Sequence, residues 1–166
     1  WWWYLNDNKK EEGYYIDGLK EGAWIYWFES GVKSNEGTFS KDERSGLWLY
    51  YNDDGAVTQE FTYSNGVLNG RETKWMVSAS DSLGKEYEKF WKDGELNGPS
   101  TNWVNGFRSK MITYKGETSK GKELANGPWV NWYTGSDQIH EQGFHKNNVR
   151  DGLTTYYYKN GNKQKE

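Results

Sequence analysis

Short apolar and aromatic runs alternate with polar turns along almost the whole chain. Residues 23–28 read Ala-Trp-Ile-Tyr-Trp-Phe, residues 47–51 Leu-Trp-Leu-Tyr-Tyr, and residues 128–133 Pro-Trp-Val-Asn-Trp-Tyr. Each run is short, aromatic and β-branched, and turn residues bound it, which predicts a β-strand. Turns follow at Glu29-Ser30-Gly31, Asp53-Asp54-Gly55, Asn105-Gly106 and Lys159-Asn160-Gly161. A second run then carries Glu-Gly-Tyr-Tyr (12–15), Glu-Gly-Thr-Phe (36–39), Glu-Phe-Thr-Tyr (60–63) or Gln-Gly-Phe-His (142–145). Another turn, such as Asp17-Gly18, Asn65-Gly66 or Asp93-Gly94, leads back to the next run. Asn-Gly and Asp-Gly tolerate positive φ and so close hairpins. No segment keeps a 3.6-residue apolar period, so essentially no helix is expected.

The pattern has a fixed period. Gly22, Gly46, Gly70, Gly98, Gly127 and Gly152 stand 24, 24, 28, 29 and 25 residues apart. Five residues after each glycine is a large aromatic: Trp27, Tyr51, Trp75, Trp103, Trp132 and Tyr157, with Trp3 in the same place one period earlier. A period of this length signals a repeat architecture. Each repeat is one β-hairpin, and consecutive hairpins are expected to pair into a meander. The expected fold is all-β: an elongated, twisted, single-layer antiparallel sheet of about seven stacked hairpins in one domain. The repeats fall at about 1–22, 23–46, 47–70, 71–98, 99–127, 128–152 and 153–166.

The order Gly-x-Trp-x-x-Tyr, Asn/Asp-Gly, Glu-Gly-x-Tyr/Phe, Asp/Asn-Gly-x-x-x-Gly resembles the MORN-repeat variant, the bacterial relative of the MORN repeat. The clearest copies run from Gly22 to Gly46 and from Gly46 to Gly70. Two central copies depart, with Glu72 and Ser100 where Trp24, Trp48 and Trp129 stand elsewhere. Extra residues enter at 77–85 and 115–123 and are read as inserted loops, which either carry function or are tolerated insertions. The resemblance implies a row of hairpins. It also implies an antitoxin-like, immunity-like, secreted or envelope protein, so the localisation expected from it leans to the bacterial cell envelope or secretion, with the cytoplasm left open.

Composition narrows the partners. Leu, Ile, Val and Phe make only about 16% of the chain, and 11 Trp and 13 Tyr supply the missing apolar surface. Net charge is −3, from 21 Lys and Arg against 24 Asp and Glu, which does not point to nucleic acid or an anionic membrane. Absence of cysteine excludes disulfides and thiol chemistry. No apolar run approaches the ~20 residues of a transmembrane helix. Residue 1 falls inside a repeat, so upstream sequence with a targeting segment is conceivable.

Strand parity divides the aromatics. The column five after glycine shares a face with the column three after it, and is read as structural packing. The other face carries Trp24, Tyr26 and Phe28, then Trp48 and Tyr50, then Trp129 and Tyr133, and is read with Trp1 and Trp2 as the candidate partner-binding surface. This parity holds only if no bulge occurs at the glycine. A carboxylate row, Glu12, Glu36, Glu60, Glu88 and Glu117 with Gln142 last, is read as solvated and paired with neighbouring lysines. Its ~9.6 Å spacing is too wide to share one metal. His140 and His145 lie an odd number apart on one strand and are expected on opposite faces. Neither a catalytic motif nor a phosphate loop appears. No cofactor or metal is expected. The function expected is a non-enzymatic protein-interaction scaffold, docked with an end of its sheet near 1–5 involved. The alternatives are a glycan- or cell-wall-binding module and an antitoxin.

Overall fold

The computed structural model describes residues 2–77, 83–117 and 121–166, without the side chains of Val77, Leu83 and Glu117. The strands are β1 (Trp2–Trp3), β2 (Lys9–Ile16), β3 (Leu19–Trp27), β4 (Lys33–Ser40), β5 (Glu43–Tyr51), β6 (Val57–Ser64) and β7 (Val67–Val77). They continue as β8 (Leu83–Lys92), β9 (Glu95–Val104), β10 (Phe107–Glu117), β11 (Glu123–Trp132), β12 (Ile139–Lys146), β13 (Val149–Tyr157) and β14 (Lys163–Lys165). All fourteen follow one another in sequence order through one antiparallel sheet. Among the described residues there is no helix, and so none long and apolar enough to cross a membrane. The chain divides into two compact units, Trp1–Glu72 and Thr73–Glu166.

In the first unit the first two repeats carry a bulge at their closing glycine. The β2–β3 register shifts between Glu12 and Tyr14, and the β4–β5 register shifts between Glu36 and Thr38. Gly22 and Gly46, opposite these shifts, have φ of 68° and 67°. A glycine in the left-handed region is the usual way to insert the extra residue. The glycine of each Glu-Gly pair sits at the shift on the facing strand. A Cβ added at Gly13 would stand inside the ring of Trp24, and one at Gly37 inside the ring of Trp48. The missing side chain therefore makes the seat for an indole from the next hairpin. Trp24 is 1% exposed and Trp48 0%, which makes them the core of this unit.

The second unit seats an indole on a glycine in the opposite order at its far end, with Trp129 on β11 directly paired to Gly143 on the following strand. The β12–β13 register shifts between Gln142 and Phe144, and a Cβ on Gly143 would come within 2.8 Å of the Trp129 ring. Trp129 is 2% exposed, and Leu96 and Ala125 are buried as well. The extra residues at 77–85 and 115–123 do not lie wholly in loops. Leu83 to Lys85 begin β8, Lys115 to Glu117 end β10, and Glu123 begins β11; residues 78–82 and 118–120 lie outside the described residues.

Two-residue turns close the hairpins at 17–18, 41–42, 65–66, 93–94 and 147–148. Their central pairs all have positive φ, among them Lys41 and Asp42 (51° and 68°) and Asn147 and Asn148 (52° and 68°), the signature of type I′ turns. These two turns lack glycine, and each is held to the preceding hairpin instead. The Asp42 N–H donates to Lys20 O at 3.0 Å, while the Lys20 N–H donates to Asp42 Oδ1 at 2.7 Å. Asn148 and Ala125 make the same reciprocal pair, at 2.9 and 2.5 Å. Two bonds across hairpins offset the cost of a left-handed non-glycine residue.

Gly37→Ala and Gly46→Ala separate the two roles of glycine. The Gly37 variant must displace the buried Trp48 ring, and a loss of about 3 kcal/mol is expected from overpacking. Gly46 has nothing within 4 Å of its added Cβ, so its variant meets only backbone strain, about 1 kcal/mol. Urea unfolding of both variants checks the order.

Candidate functional site

The first unit has two unlike faces. Directly paired residues share a face, so Trp24, opposite Gly37, and Trp48, opposite Phe61, lie on one. Ile25, opposite Glu12 and Glu36, and Leu49, opposite Glu36 and Glu60, lie on the other.

The tryptophan face is sealed by its own side chains. Tyr15 meets Trp24 edge-on at 5.1 Å, Phe39 meets Trp48 edge-on at 5.0 Å, and Tyr50 meets Phe61 at 5.4 Å. Edge-to-face pairs of this spacing stabilise beyond the area they bury. Cations close the layer above the indoles. Lys20 Nζ stands 4.0 Å from the Trp24 centroid and the Arg44 guanidinium 4.7 Å from that of Trp48. Burial works against the charge of Lys20, but the Tyr26 hydroxyl at 2.8 Å and the Glu11 carboxylate at 3.7 Å prevail and its pKa is raised. In the second unit Arg150 covers Trp129 at 4.2 Å.

This corrects the expected partner surface. Trp24, Trp48 and Trp129 were assigned to it by parity, yet they are the most completely buried aromatics of their units. The bulge falls at the glycine itself and the columns after it keep their alternation; what sequence parity could not show is that a glycine on a neighbouring strand opens a seat beneath these rings. Tyr26 and Tyr50 are half-buried within the same layer, and Phe28 is half-buried at a turn, its N–H donating to Val32 O at 2.8 Å. Tyr133 is half-buried too, and its hydroxyl donates to Tyr157 O at 2.6 Å. Trp2 is 62% exposed on β1, and Trp1 lies outside the described residues.

The regular column is less buried than expected for structural packing. Trp27, Tyr51, Trp75, Trp103, Trp132 and Tyr157 are half-buried, and Trp3 is 57% exposed. A polar unit repeats around these rings. Lys9 bonds Glu12 at 2.7 Å and lies over Trp27 at 5.0 Å. Lys33 does the same for Glu36 and Tyr51, at 2.7 and 5.5 Å, and Lys85 for Glu88 and Trp103, at 2.9 and 5.2 Å. The carboxylate row is thus paired with lysines at Glu12, Glu36 and Glu88, while Glu60 takes Arg71 at 3.4 Å; the Glu117 side chain lies outside the described ones. Gln142 keeps the geometry without charge, its Nε2 donating to the Tyr157 hydroxyl at 2.9 Å. The lysine three residues before the glutamate was the signal available in the sequence.

Glu36 and Tyr51 are the most tightly coupled of these groups. The Tyr51 hydroxyl donates to Glu36 Oε1. Burial and then the Glu36 carboxylate push the Tyr51 pKa up to about 12. Burial would raise the Glu36 pKa, but its bonds to Lys33 and Tyr51 outweigh it and hold the pKa below the ordinary value. His140 rests on Tyr133 at 4.7 Å and His145 on Trp129 at 5.8 Å, so the two histidines serve different aromatic contacts. Burial, then Arg150 and Lys110, lower the pKa of His145. Among the described residues, no cluster of three His, Cys, Asp or Glu groups is close enough to hold a metal ion.

The face that carries the column also carries exposed apolar side chains. Tyr14 and Ile16 follow Glu12 at two-residue steps along β2, and Leu19 pairs with Ile16. Leu47 precedes Leu49 by two on β5. Tyr14, Ile16 and Leu47 are each about half exposed and Leu19 slightly less. A shallow hollow of about 400 Å³ lies among Glu12, Gly13, Tyr14, Ala23 and Ile25. An equivalent one of about 290 Å³ recurs in the second unit, with Gln142, Gly143, Leu153 and Thr155 in its wall. No protein-family model matches the chain, and no curated protein matches it.

Trp48→Ala is expected to cost about 3–5 kcal/mol, as truncation of a buried aromatic does, and more than Trp103→Ala in the half-buried column; urea unfolding of the pair checks this. In a spectrophotometric titration one tyrosine is expected to ionise near pH 12, and Glu36→Gln to bring that step down. The Glu36 contribution to stability is present above its unfolded pKa and is lost as pH falls through the lowered folded value. That of Tyr51 is present below about 10 and is lost as pH rises toward 12. Stability measured against pH in the parent and Glu36→Gln chains checks both signs.

Proposed function

We propose that this chain is a non-enzymatic docking scaffold for another protein, built of MORN-variant-like hairpins. Its docking surface is the sheet face opposite the buried tryptophans. The observation that carries this reading is the composition of that face in the first unit. Tyr14, Ile16, Leu19 and Leu47 stand exposed on it, while the carboxylates between them are neutralised by Lys9, Lys33 and Arg71. Such a surface combines exposed apolar side chains with a carboxylate row that is already paired, and the centre of a protein interface is likewise depleted of charge. Its hollows are shallow and open, and suit side chains of a protein better than an enclosed small molecule.

The groups with shifted pKa values also have structural partners, as Tyr51 has Glu36 and Lys20 has Tyr26. Stacking of a sugar on the tryptophan face is disfavoured, because Lys20 and Arg44 already occupy the ring faces. An antitoxin or immunity role is the same docking with a toxin as the partner.

The test uses the chain as affinity bait from its native source, with Ile16→Ser/Leu47→Ser as the comparison. One protein is expected to copurify at fixed stoichiometry with the parent, and the purified partner to bind the variant roughly tenfold or more weakly, about 1.4 kcal/mol. The variant should keep the parent's circular dichroism. Unchanged partner affinity in a folded variant rejects this face as the docking surface.

A further inference from the structure

The sequence holds six Asn-Gly pairs, beginning at Asn65, Asn69, Asn97, Asn105, Asn126 and Asn160. Asn-Gly is the dipeptide in which a backbone nitrogen can attack the preceding side-chain amide, because glycine places no side chain beside that nitrogen. Attack needs the glycine nitrogen free to give up its proton. An N–H that donates a hydrogen bond must first break it.

The fold places the six pairs differently, and the glycines of four of them are strand-paired or hydrogen-bonded. Asn69, Asn97 and Asn126 lie inside β7, β9 and β11, with Gly98 paired to Tyr114 and Gly127 to His145. Asn65 and Asn160 lie in exposed turns, but the Gly66 N–H donates to Arg44 O at 2.9 Å and the Gly161 N–H to Tyr158 O at 2.9 Å. Asn105 and Gly106 form the exposed turn between β9 and β10, with φ of 52° and 81°. Among the described residues, the Gly106 N–H donates to no neighbour. Its turn is on the edge where other hairpins close with longer, internally bonded loops such as 28–32, 52–56 and 158–162.

We infer that Asn105-Gly106 is the site at which this chain undergoes spontaneous deamidation. The Gly106 nitrogen loses its proton and forms a bond to Asn105 Cγ. The bond from Cγ to the side-chain nitrogen breaks, and that nitrogen leaves as ammonia. Water then adds to one of the two carbonyls of the cyclic imide and opens it to aspartate or isoaspartate. No oxidant, reductant or enzyme takes part. The product places a new carboxylate three residues from Arg108, which already bonds Asp137 at 3.1 Å. In the isoaspartate form it also adds a backbone atom to a two-residue turn that fixes Val104 opposite Phe107.

The test is peptide mapping of the folded 166-residue chain, incubated at mildly alkaline pH, with isoaspartate located by enzymatic methylation. A parallel sample is held unfolded in concentrated urea. In the folded chain Asn105 is expected to convert roughly fivefold or more faster than Asn65 and Asn160, about the factor one hydrogen bond contributes. In urea the three are expected to convert at similar rates. Conversion of Asn65 or Asn160 as fast as Asn105 in the folded chain overturns the inference. So does selectivity for Asn105 that persists in urea, since the fold is then not its cause.

Discussion

The seating of an indole on a glycine is the contact on which the rest of this structure depends. A single sheet has little interior, and aliphatic residues are scarce here. Each Glu-Gly glycine removes one side chain from the sheet surface, and the tryptophan of the next hairpin occupies the space. The indole is then buried at the level of a domain core although it belongs to one layer. In the two central copies that lack the glycine, the tryptophan eleven residues later is absent too: Phe61 is followed by Glu72 and Lys89 by Ser100. Trp129 follows Thr118 in the sequence and is seated instead on Gly143 of the following strand.

This contact also sets the character of the two faces in the first unit. Rings seated on glycine lie flat enough for Lys20 and Arg44 to stand over them, and a desolvated cation over an indole is worth more than an exposed one. The other face has no such seats. Its aromatics stand beside ion pairs and remain half-buried. Dispersion and ring contacts hold one side of the sheet, and neutralised charge covers the other.

Much of the fold was legible in the sequence. The glycine period, the aromatic five residues later and the Asn-Gly and Asp-Gly turns lead to fourteen strands in sequence order, as found. The turns at Lys41-Asp42 and Asn147-Asn148 were not legible, because what holds them is a bond to a residue some 22 positions earlier. The burial of Trp24, Trp48 and Trp129 was missed because alternation distinguishes two faces without saying which is the inner one. The pairing of Trp with a glycine eleven residues before it (Gly13 with Trp24, Gly37 with Trp48) was the available clue in the first unit, and Trp129, which follows Thr118, carried none of that kind. The lysine partners of the carboxylate row were visible as Lys-x-x-Glu at 9–12, 33–36 and 85–88. The extra residues at 77–85 and 115–123 read as loops because no local signal distinguishes a lengthened strand from a tolerated insertion.

The clamp between Asp42 and Lys20, repeated by Asn148 and Ala125, spans close to one repeat in each case. So do the bond from Tyr4 to the Trp27 carbonyl and that from Tyr133 to the Tyr157 carbonyl. Every such bond joins a hairpin to its immediate neighbour. Excision or duplication of one whole period therefore brings equivalent donors and acceptors together again, with no new type of joint to invent. Array length is in this sense a free variable for recombination, while a gain or loss of a few residues at these junctions is not. The chemistry of the joint permits growth only in whole units, as the bond between monomers does in a polymer.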